Sequence, residues 1–421
     1  MKGKLISIGA VVLVLALLLT LAPSCGNGEE ATPTPGVTPT PGVTPTPTPT
    51  PTTETLKIGM LGPLSGPAAA FGIYQEQGMQ WAVDTINERG GLRVGDHTYL
   101  FKLVSYDDKL MGSEAATGAT KLAYEDKVVF STGGILVSEN QAAQSIFHEA
   151  KVIGAGCGSG ACTPEFPYWL DSATHHYTWS AAFDELLKEN NPDLKTIAFL
   201  HPNAPDGHAS ADATIDALDR LGWTVVAEEY FEYGTTDFYP HLTKILAKNP
   251  DAIDIDSSGG NVALIVKQAR ELGYEGKVFN LATVQPTVNQ VAGCEYAEGL
   301  QSNEPDYSSP LFPEGTRGLY HEYLERYHPE DDRMDFLVLL GYGVVMLYVQ
   351  AVETAGTIDP DEVIKVFDDP NWRFEWFGAP GQKLSGLETY GIRRQVENYV
   401  ALSATENCVP VMKGLRLVEV P

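Results

Sequence analysis

Positive charge is scarce in this sequence. The 28 Lys and Arg residues are outnumbered by 55 Asp and Glu, for a net charge of −27. A surface of that sign repels nucleic-acid phosphates, so nucleic acid is set aside as a partner, and so is a membrane held by surface charge. The scarcity also bears on the loop after the first apolar run, "LKIGMLGPLSGPAAAFG" (56–72). It has the glycines of a phosphate cradle, but no lysine or arginine lies between Lys57 and Arg89, and no Gly-Lys-Ser/Thr follows. "GCGSGA" matches a dinucleotide pattern through Gly156, Gly158 and Ala161, yet Pro164 and Pro167 cut short the helix such a site requires. Catalytic groupings are missing too. Ser65 lies between Pro63 and Pro67, and Ser159 has no glycine two residues to either side. His148 opens "HEAKV" without a second histidine, and His201, Asp206 and His208 read as polar loop residues rather than a metal site. The sequence therefore predicts no enzyme, no metal and no cofactor.

Cysteine is nearly as scarce, with 5 in the chain. Cys25 follows an 18-residue uncharged apolar run, Leu5–Ala22, behind Lys2 and Lys4. That is the layout of a secretory signal, and Cys25 sits where a bacterial lipoprotein carries its lipid. An ordinary signal peptide or an uncleaved anchor are the alternatives, and all three place the remaining chain outside the cytoplasm. Four cysteines remain: Cys157, Cys162, Cys294 and Cys408. An oxidising compartment allows three pairings. The expectation is Cys157 with Cys162, which share a short glycine-rich loop, and Cys294 with Cys408; free buried thiols are the alternative.

What is present divides the chain. Residues 31–53 alternate threonine and proline and cannot form a core. Extended as polyproline II at ~3.1 Å per residue, they make a semi-rigid tether of about 70 Å. From residue 56 short apolar runs alternate with amphipathic stretches: "LKIGML", "YLFKLVSYDD", "KVVFSTGG" and "KVIGAG" in one series, "KTIAFLHPN", "WTVVAEEYF", "DAIDIDSSGG" and "KVFNLAT" in another. Such alternation predicts α/β architecture with two doubly wound parallel-sheet lobes. Phe336–Val352 carries no charge, but glycines and Gln350 interrupt it, and it reads as a buried core helix. "RRQVENYVALS" and "KGLRLVEV" read as antiparallel strands. Strand after strand ends in small polar residues. Ser65, Val137 and Ser138, Cys157 with Gly158 and Ser159, Asp206, Gly259 with Gly260, and Thr283 would meet at a cleft outside the carboxyl ends of the strands.

"IGMLGPLSGPAAAFG", "GMQWAVDTINERGGL", "ATKLAYEDKVVFSTGG", "VKQARELGYEGKVF" and "AGCEYAEGL" resemble the leucine/isoleucine/valine-binding branch of the solute-binding proteins that serve ABC importers. The resemblance implies a type I periplasmic-binding fold, with two lobes, a hinge of three crossings and a ligand between the lobes. The expected organisation is a signal peptide at 1–24, a lipid-anchored linker at 25–55, a first lobe at 56–176 with 304–357, and a second at 177–303 with 358–421. The crossings are expected near 172–180, 301–308 and 355–361. The expected role is a monomeric, membrane-tethered receptor handing a small polar ligand (an amino acid, amide or small carboxylate) to an ABC permease. The alternative is a sensor of the same fold reporting to a membrane partner.

Carried over by position, Val137 or Ser138, Cys157 and Ser159 would seat a ligand carboxylate. Phe71 would line the pocket where the family often has tyrosine, and Gly259 or Gly260 fall near an aromatic position. The family's acid for the ligand ammonium is replaced by Thr283, and Asp206 is the nearest candidate to take over that charge. If it does, Asp206→Asn costs roughly 2–5 kcal/mol of binding for an amine ligand and little for a neutral one, measured by calorimetry.

Overall fold

The computed structural model describes residues 52–66, 69–157, 162–173, 176–232, 234–257, 259–282, 285–329 and 333–421, apart from the side chains of 176–178, 205, 206, 209, 285 and 286. Cys25 and the segment preceding it lie outside the described residues.

The first series of apolar runs forms β1 (Thr52–Gly62), β2 (Leu92–Val94), β3 (His97–Asp107), β4 (Phe130–Thr132), β5 (Ile153–Gly156) and β6 (Trp169–Asp171). Between them lie α1 (Ala69–Glu88), α2 (Gly112–Thr120) and α3 (Val137–Ala150). The second series comprises α4 (His176–Asn190), β7 (Thr196–Pro202), α5 (Pro205–Arg220), β8 (Thr224–Phe231), α6 (Tyr239–Leu246), β9 (Ala252–Asp254), α7 (Gly259–Glu271), β10 (Lys277–Asn280), α8 (Gln285–Val291), α9 (Cys294–Ala297) and β11 (Leu300–Ser302). The rest holds α10 (Glu314–Tyr327), α11 (Phe336–Ala355), α12 (Pro360–Asp368), β12 (Phe374–Trp376), β13 (Ala379–Gln382), β14 (Leu384–Ser385), α13 (Leu387–Tyr390), β15 (Gln395–Val396), β16 (Asn398–Glu406) and β17 (Val409–Val418).

Two large sheets result, ordered β14-β15-β6-β5-β4-β1-β3-β2 and β17-β16-β11-β10-β9-β7-β8, beside a two-stranded pair, β12-β13. Their central strands are parallel. The central strands β4, β5, β7, β9 and β10 bury both faces, which is why those runs read as continuously apolar. Ala198 and Leu200 pack into one core while Ile197 and Phe199 pack into another on the opposite face. In the first sheet Ile58 and Met60 face one cluster and Leu61 another. In both sheets the first strand of the series pairs with two neighbours, β1 with β3 and β4, and β7 with β8 and β9. Strand order reverses there, which opens a crevice at the carboxyl ends.

The uncharged segment is α11. Among the described residues it is the one helix long and apolar enough to span a membrane, and 72% of its most apolar window is buried in the body. It packs on α1 closely enough that a Cβ at Gly78 would collide with the Val338 carbonyl, and one at Gly341 with the Gln75 carbonyl. Glycine at both positions is what lets two core helices approach backbone to backbone. Asp335 caps the first turn of α11, accepting from the Leu337 N–H at 2.8 Å, and Gly356 ends the helix at φ 68°. β16 and β17 form the expected antiparallel pair.

Several expectations are corrected. The tether does not reach residue 55. Thr52–Thr55 already pair with His97–Leu100, because β-branched threonines extend a strand once a partner edge is present. Residues 358–421 do not follow the second sheet as a block. β14 and β15 join the first sheet through Gln395 and Asp171, and only β16 and β17 belong to the second. The last passage between sheets is therefore at Glu397, not at 355–361, where the chain lies between α11 and α12 on the first lobe. Two-residue strands carry no periodicity from which this could be read. Cys294 and Cys408 form a disulfide, as expected, but Cys157 and Cys162 are both free. Cys157 ends beside the cleft at β5, while Cys162 is buried near Asp171 and Arg394, so closeness in sequence does not bring the two sulfurs together.

The bond between Cys294 and Cys408 spans 114 residues and ties the α8–α9 region to the β16–β17 turn. Replacing both cysteines by serine is expected to cost about 2–5 kcal/mol in denaturant unfolding, with binding retained.

Candidate functional site

A cleft of about 380 Å³ opens at the carboxyl ends of both sheets. Phe71 in the first turn of α1, Ile135 before α3, Cys157 after β5 and Ala173 after β6 come from the first sheet. Trp179 of α4, Gly259 at the start of α7 and Ala282 after β10 come from the second. The crossing after β11 adds Asn303, Pro305, Tyr307 and Phe312, and β16 adds Tyr399. Asp335, Phe336 and Leu337 close the wall at the start of α11, beside Phe377.

Aromatic rings dominate this surface, and they brace one another. Tyr307 and Phe312 have centroids 5.0 Å apart, Phe312 meets Tyr399 edge-on at 6.0 Å, and Phe336 meets Phe377 edge-on at 6.1 Å. Trp376 stacks behind Phe377 at 4.3 Å. Rings held in offset and edge-on contact keep their faces in place, so the wall is preformed.

The crossings are tied together beside the cleft. Asn398 donates to the Ser172 carbonyl at 2.8 Å, and Gln395 donates to the Ala173 carbonyl at 2.6 Å. The Asn303 side chain accepts from the Ala401 N–H at 3.0 Å, and Ser403 donates to the Glu304 carbonyl at 2.6 Å. The three passages between sheets are thus linked by side-chain to backbone bonds.

The loops behind the first-sheet wall are held by acids. Asp107 accepts from the Leu64 N–H at 2.9 Å and from the Ser65 hydroxyl at 2.6 Å. Glu139 accepts from the Leu136 N–H at 3.0 Å and from the Ser138 hydroxyl at 3.1 Å. Asp108 is fully buried, and its Oδ1 accepts from the Leu110 N–H at 2.9 Å. In the second lobe the buried His201 binds Asp254 through Nε2 at 2.8 Å and faces the Gly207 carbonyl at 3.4 Å through Nδ1. Burial works against its charge, but the hydrogen bond to Asp254 together with the Asp254 and Asp256 charges and the Gly207 carbonyl outweighs this and raises its pKa. His208 turns to the Asn203 side chain instead, so these two histidines do not share a site. Burial also pushes the Cys157 thiol up to about 12, with Asp171 and Asp335 adding to it, so it is no thiolate at neutral pH. Among the described residues no three His, Cys, Asp or Glu side chains are grouped to hold a metal.

Of the residues the sequence pointed to, Phe71, Cys157 and Gly259 line the cleft. Ser65 and Ser138 stand at the loops behind it with their hydroxyls directed to Asp107 and Glu139. Val137 is the first residue of α3, and Gly260 lies in the first turn of α7 with open space where a Cβ would be. Gly158, Ser159 and Thr283 lie outside the described residues, and so does the Asp206 side chain, although its backbone is in the first turn of α5. Sequence reasoning missed Trp179, Tyr307, Phe312, Asp335, Phe336, Phe377 and Tyr399. The expected crossing at 301–308 was the one available signal, since it contains Tyr307; the others come from segments with no strand-end pattern.

The periplasmic binding protein family profile matches residues 55–385. The leucine-, isoleucine-, valine-, threonine- and alanine-binding protein of Pseudomonas aeruginosa is 25% identical over 316 residues, covering 74% of this chain and 81% of the relative. The fold is that of solved structures, including a leucine binding protein from Thermotoga maritima (TM-score 0.70, 21% identity, 86% of this chain and 99% of that one). An ABC transporter solute binding protein of R. palustris in complex with benzoate also superposes (TM-score 0.68, 18% identity, 87% of this chain and 98% of that one).

Burial pushes the Asp108 carboxyl up to about 6, with the Glu139 and Asp107 charges adding to it against the Leu110 hydrogen bond. The unfolded chain gives up this proton near pH 4, whereas the native state holds it to about pH 6. Stability contributed by this group is therefore present below pH 4 and is lost as pH rises through 6. Asp108→Asn keeps the acceptor for Leu110 and does not titrate. The variant should gain about 2–3 kcal/mol over the parent at pH 7.5 and nothing at pH 4, read from urea midpoints at both pH values.

Proposed function

Given that the chain belongs to the periplasmic binding protein family, we propose that it is an extracytoplasmic solute receptor. It takes one small molecule between its lobes and delivers it to an ABC permease. The observation that carries this reading is the cleft of about 380 Å³ whose wall is assembled from the strand ends of both sheets and from the crossings between them. Its volume suits a small organic ligand. A ligand touching Phe71 and Cys157 on one side and Trp179 and Gly259 on the other stabilises the arrangement in which the lobes are close. The closed form then presents both lobes together to the permease. The linked crossings act as the hinge, since they carry the chain between the sheets while the sheets themselves stay rigid.

The expected ligand was small and polar. The aromatic wall supports one with an apolar body, such as an amino acid with an apolar side chain. Lipidation at Cys25, with residues 31–51 as the tether, would hold a monomeric receptor near its permease while leaving its body free to dock. No bond is made or broken in this role.

The test is calorimetric titration with leucine, isoleucine, valine, phenylalanine, short amides and aromatic carboxylates, paired with small-angle scattering. One-to-one binding at micromolar strength or better and a smaller radius of gyration on saturation are expected. Tyr307→Ala should weaken that binding about 10- to 100-fold, because it removes a ring braced at the centre of the wall. Turnover of a bound compound, or binding with unchanged scattering, speaks against the receptor role.

A further inference from the structure

We propose that residues 419–421, which follow β17, form a latch across the hinge, and that loss of a proton from the Glu397 carboxyl releases it. This concerns the hinge rather than the ligand, so it goes beyond the receptor reading above. β17 belongs to the second sheet, yet the residues after it bond to the first lobe. The Gly386 N–H donates to the Val420 carbonyl at 2.8 Å, and the Thr389 N–H and hydroxyl both donate to the Pro421 main-chain oxygen at 2.9 Å. The Val420 N–H donates to the Ser385 hydroxyl oxygen at 3.4 Å, and the Val420 side chain is buried. Ser385 ends β14 of the first sheet, and Thr389 lies in α13. Glu419 forms an ion pair with Lys383, which precedes β14. Beside the three crossings this strap is a fourth link between the lobes. Its hold on the first lobe is non-covalent, so it opens without unfolding either sheet.

The third crossing runs beside this strap. Asn398 and Val418 are cross-strand partners in the β16–β17 pair, so Glu397 and Glu419 are neighbours one position beyond it. The Glu397 side chain is buried, and its Oε1 accepts no hydrogen bond. That oxygen lies 4.0 Å from Lys383 Nζ, the same ammonium that holds Glu419. Among the described residues the ionisable groups facing Glu397 are Lys383, Arg373, Glu419 and Tyr399, and Arg393 and Glu388 line the groove beyond them. Burial pushes the Glu397 carboxyl up to about 7, with Glu419 adding to it against Lys383 and Arg373. The unfolded chain gives up this proton near pH 4.5, whereas the native state holds it to about pH 7. Stability from this group is therefore present below pH 4.5 and is lost as pH rises through 7. Once ionised, Glu397 repels Glu419 and competes with it for Lys383. A buried carboxylate with an unbonded oxygen is also costly, and water admitted between crossing and strap relieves it. Both effects loosen the strap.

The experiment needs no ligand. Amide hydrogen exchange of the full chain is followed by NMR at pH 6 and pH 8, with each rate referenced to its intrinsic value. The strap is read at Gly386, Thr389 and Val420, and Ala401, bonded to the second crossing, is the reference. Protection of the strap amides is expected to fall about 10-fold from pH 6 to pH 8, the change in the protonated fraction of Glu397 across that range, while Ala401 keeps its protection. Glu397→Gln should keep the strap protected at both pH values, and Glu397→Met should repeat this should the glutamine variant fold poorly. Lys383→Gln should leave the strap weakly protected at both. Spin labels on the exposed positions Glu149→Cys and Lys248→Cys, with Cys157 and Cys162 replaced by serine, report the distance between lobes. Its distribution should broaden from pH 6 to pH 8 and stay narrow once Glu397→Gln is added. Strap protection independent of pH, a fall that Glu397→Gln retains, or an opened strap with an unchanged lobe distance overturns the latch. Each of these outcomes leaves the receptor role standing, which ligand titration tests separately.

Discussion

Side-chain to backbone hydrogen bonds across the three crossings hold this protein together where it is thinnest. Each sheet has cores on both faces. What makes one cleft out of two lobes is that Asn398, Gln395, Asn303 and Ser403 bind the passages to each other. Buried polar groups satisfied in this way fix a geometry beside the apolar packing of Tyr399, Met412 and Leu415 against the first-lobe core. The crossings therefore carry chain from one sheet to the other and also contribute Asn303, Pro305 and Tyr307 to the wall. Crossing and cleft wall thus share residues, Asn303 among them.

The wall shows why strand-end chemistry was a partial guide. Ser65 and Ser138 were expected at the ligand because hydroxyls at strand ends commonly serve that purpose. Here their hydroxyls donate to Asp107 and Glu139, charge-assisted bonds that hold the loops. With the hydroxyls engaged, aromatic residues from the crossings and from α11 supply most of the contact surface. The cleft at the carboxyl ends of both sheets is thus walled mainly by apolar and aromatic side chains.

Much of the fold was legible beforehand. Runs such as "LKIGML" and "KTIAFL" are apolar without alternation, and only strands buried on both faces tolerate that, so a doubly wound parallel architecture followed directly. Glycines and Gln350 interrupt Phe336–Val352, which therefore read as a buried core helix, and α1 is the helix it packs on. The disulfide shows the limit. Cys294–Cys408 joins residues far apart in the chain, while Cys157 and Cys162, five positions apart, face different surroundings.

By itself the sequence determined the two α/β series, the buried core helix, the antiparallel end and the positions of Phe71, Cys157 and Gly259 at a cleft. These rest on local periodicity and on the rule that parallel strands present their loops at one end. Only the tertiary structure decided that β14 and β15 return to the first sheet, and that Trp179, Tyr399, Phe377 and Asp335 line one cleft. Those outcomes depend on which distant segments pair and on the direction each side chain takes once they do, and no pattern along the chain encodes either one.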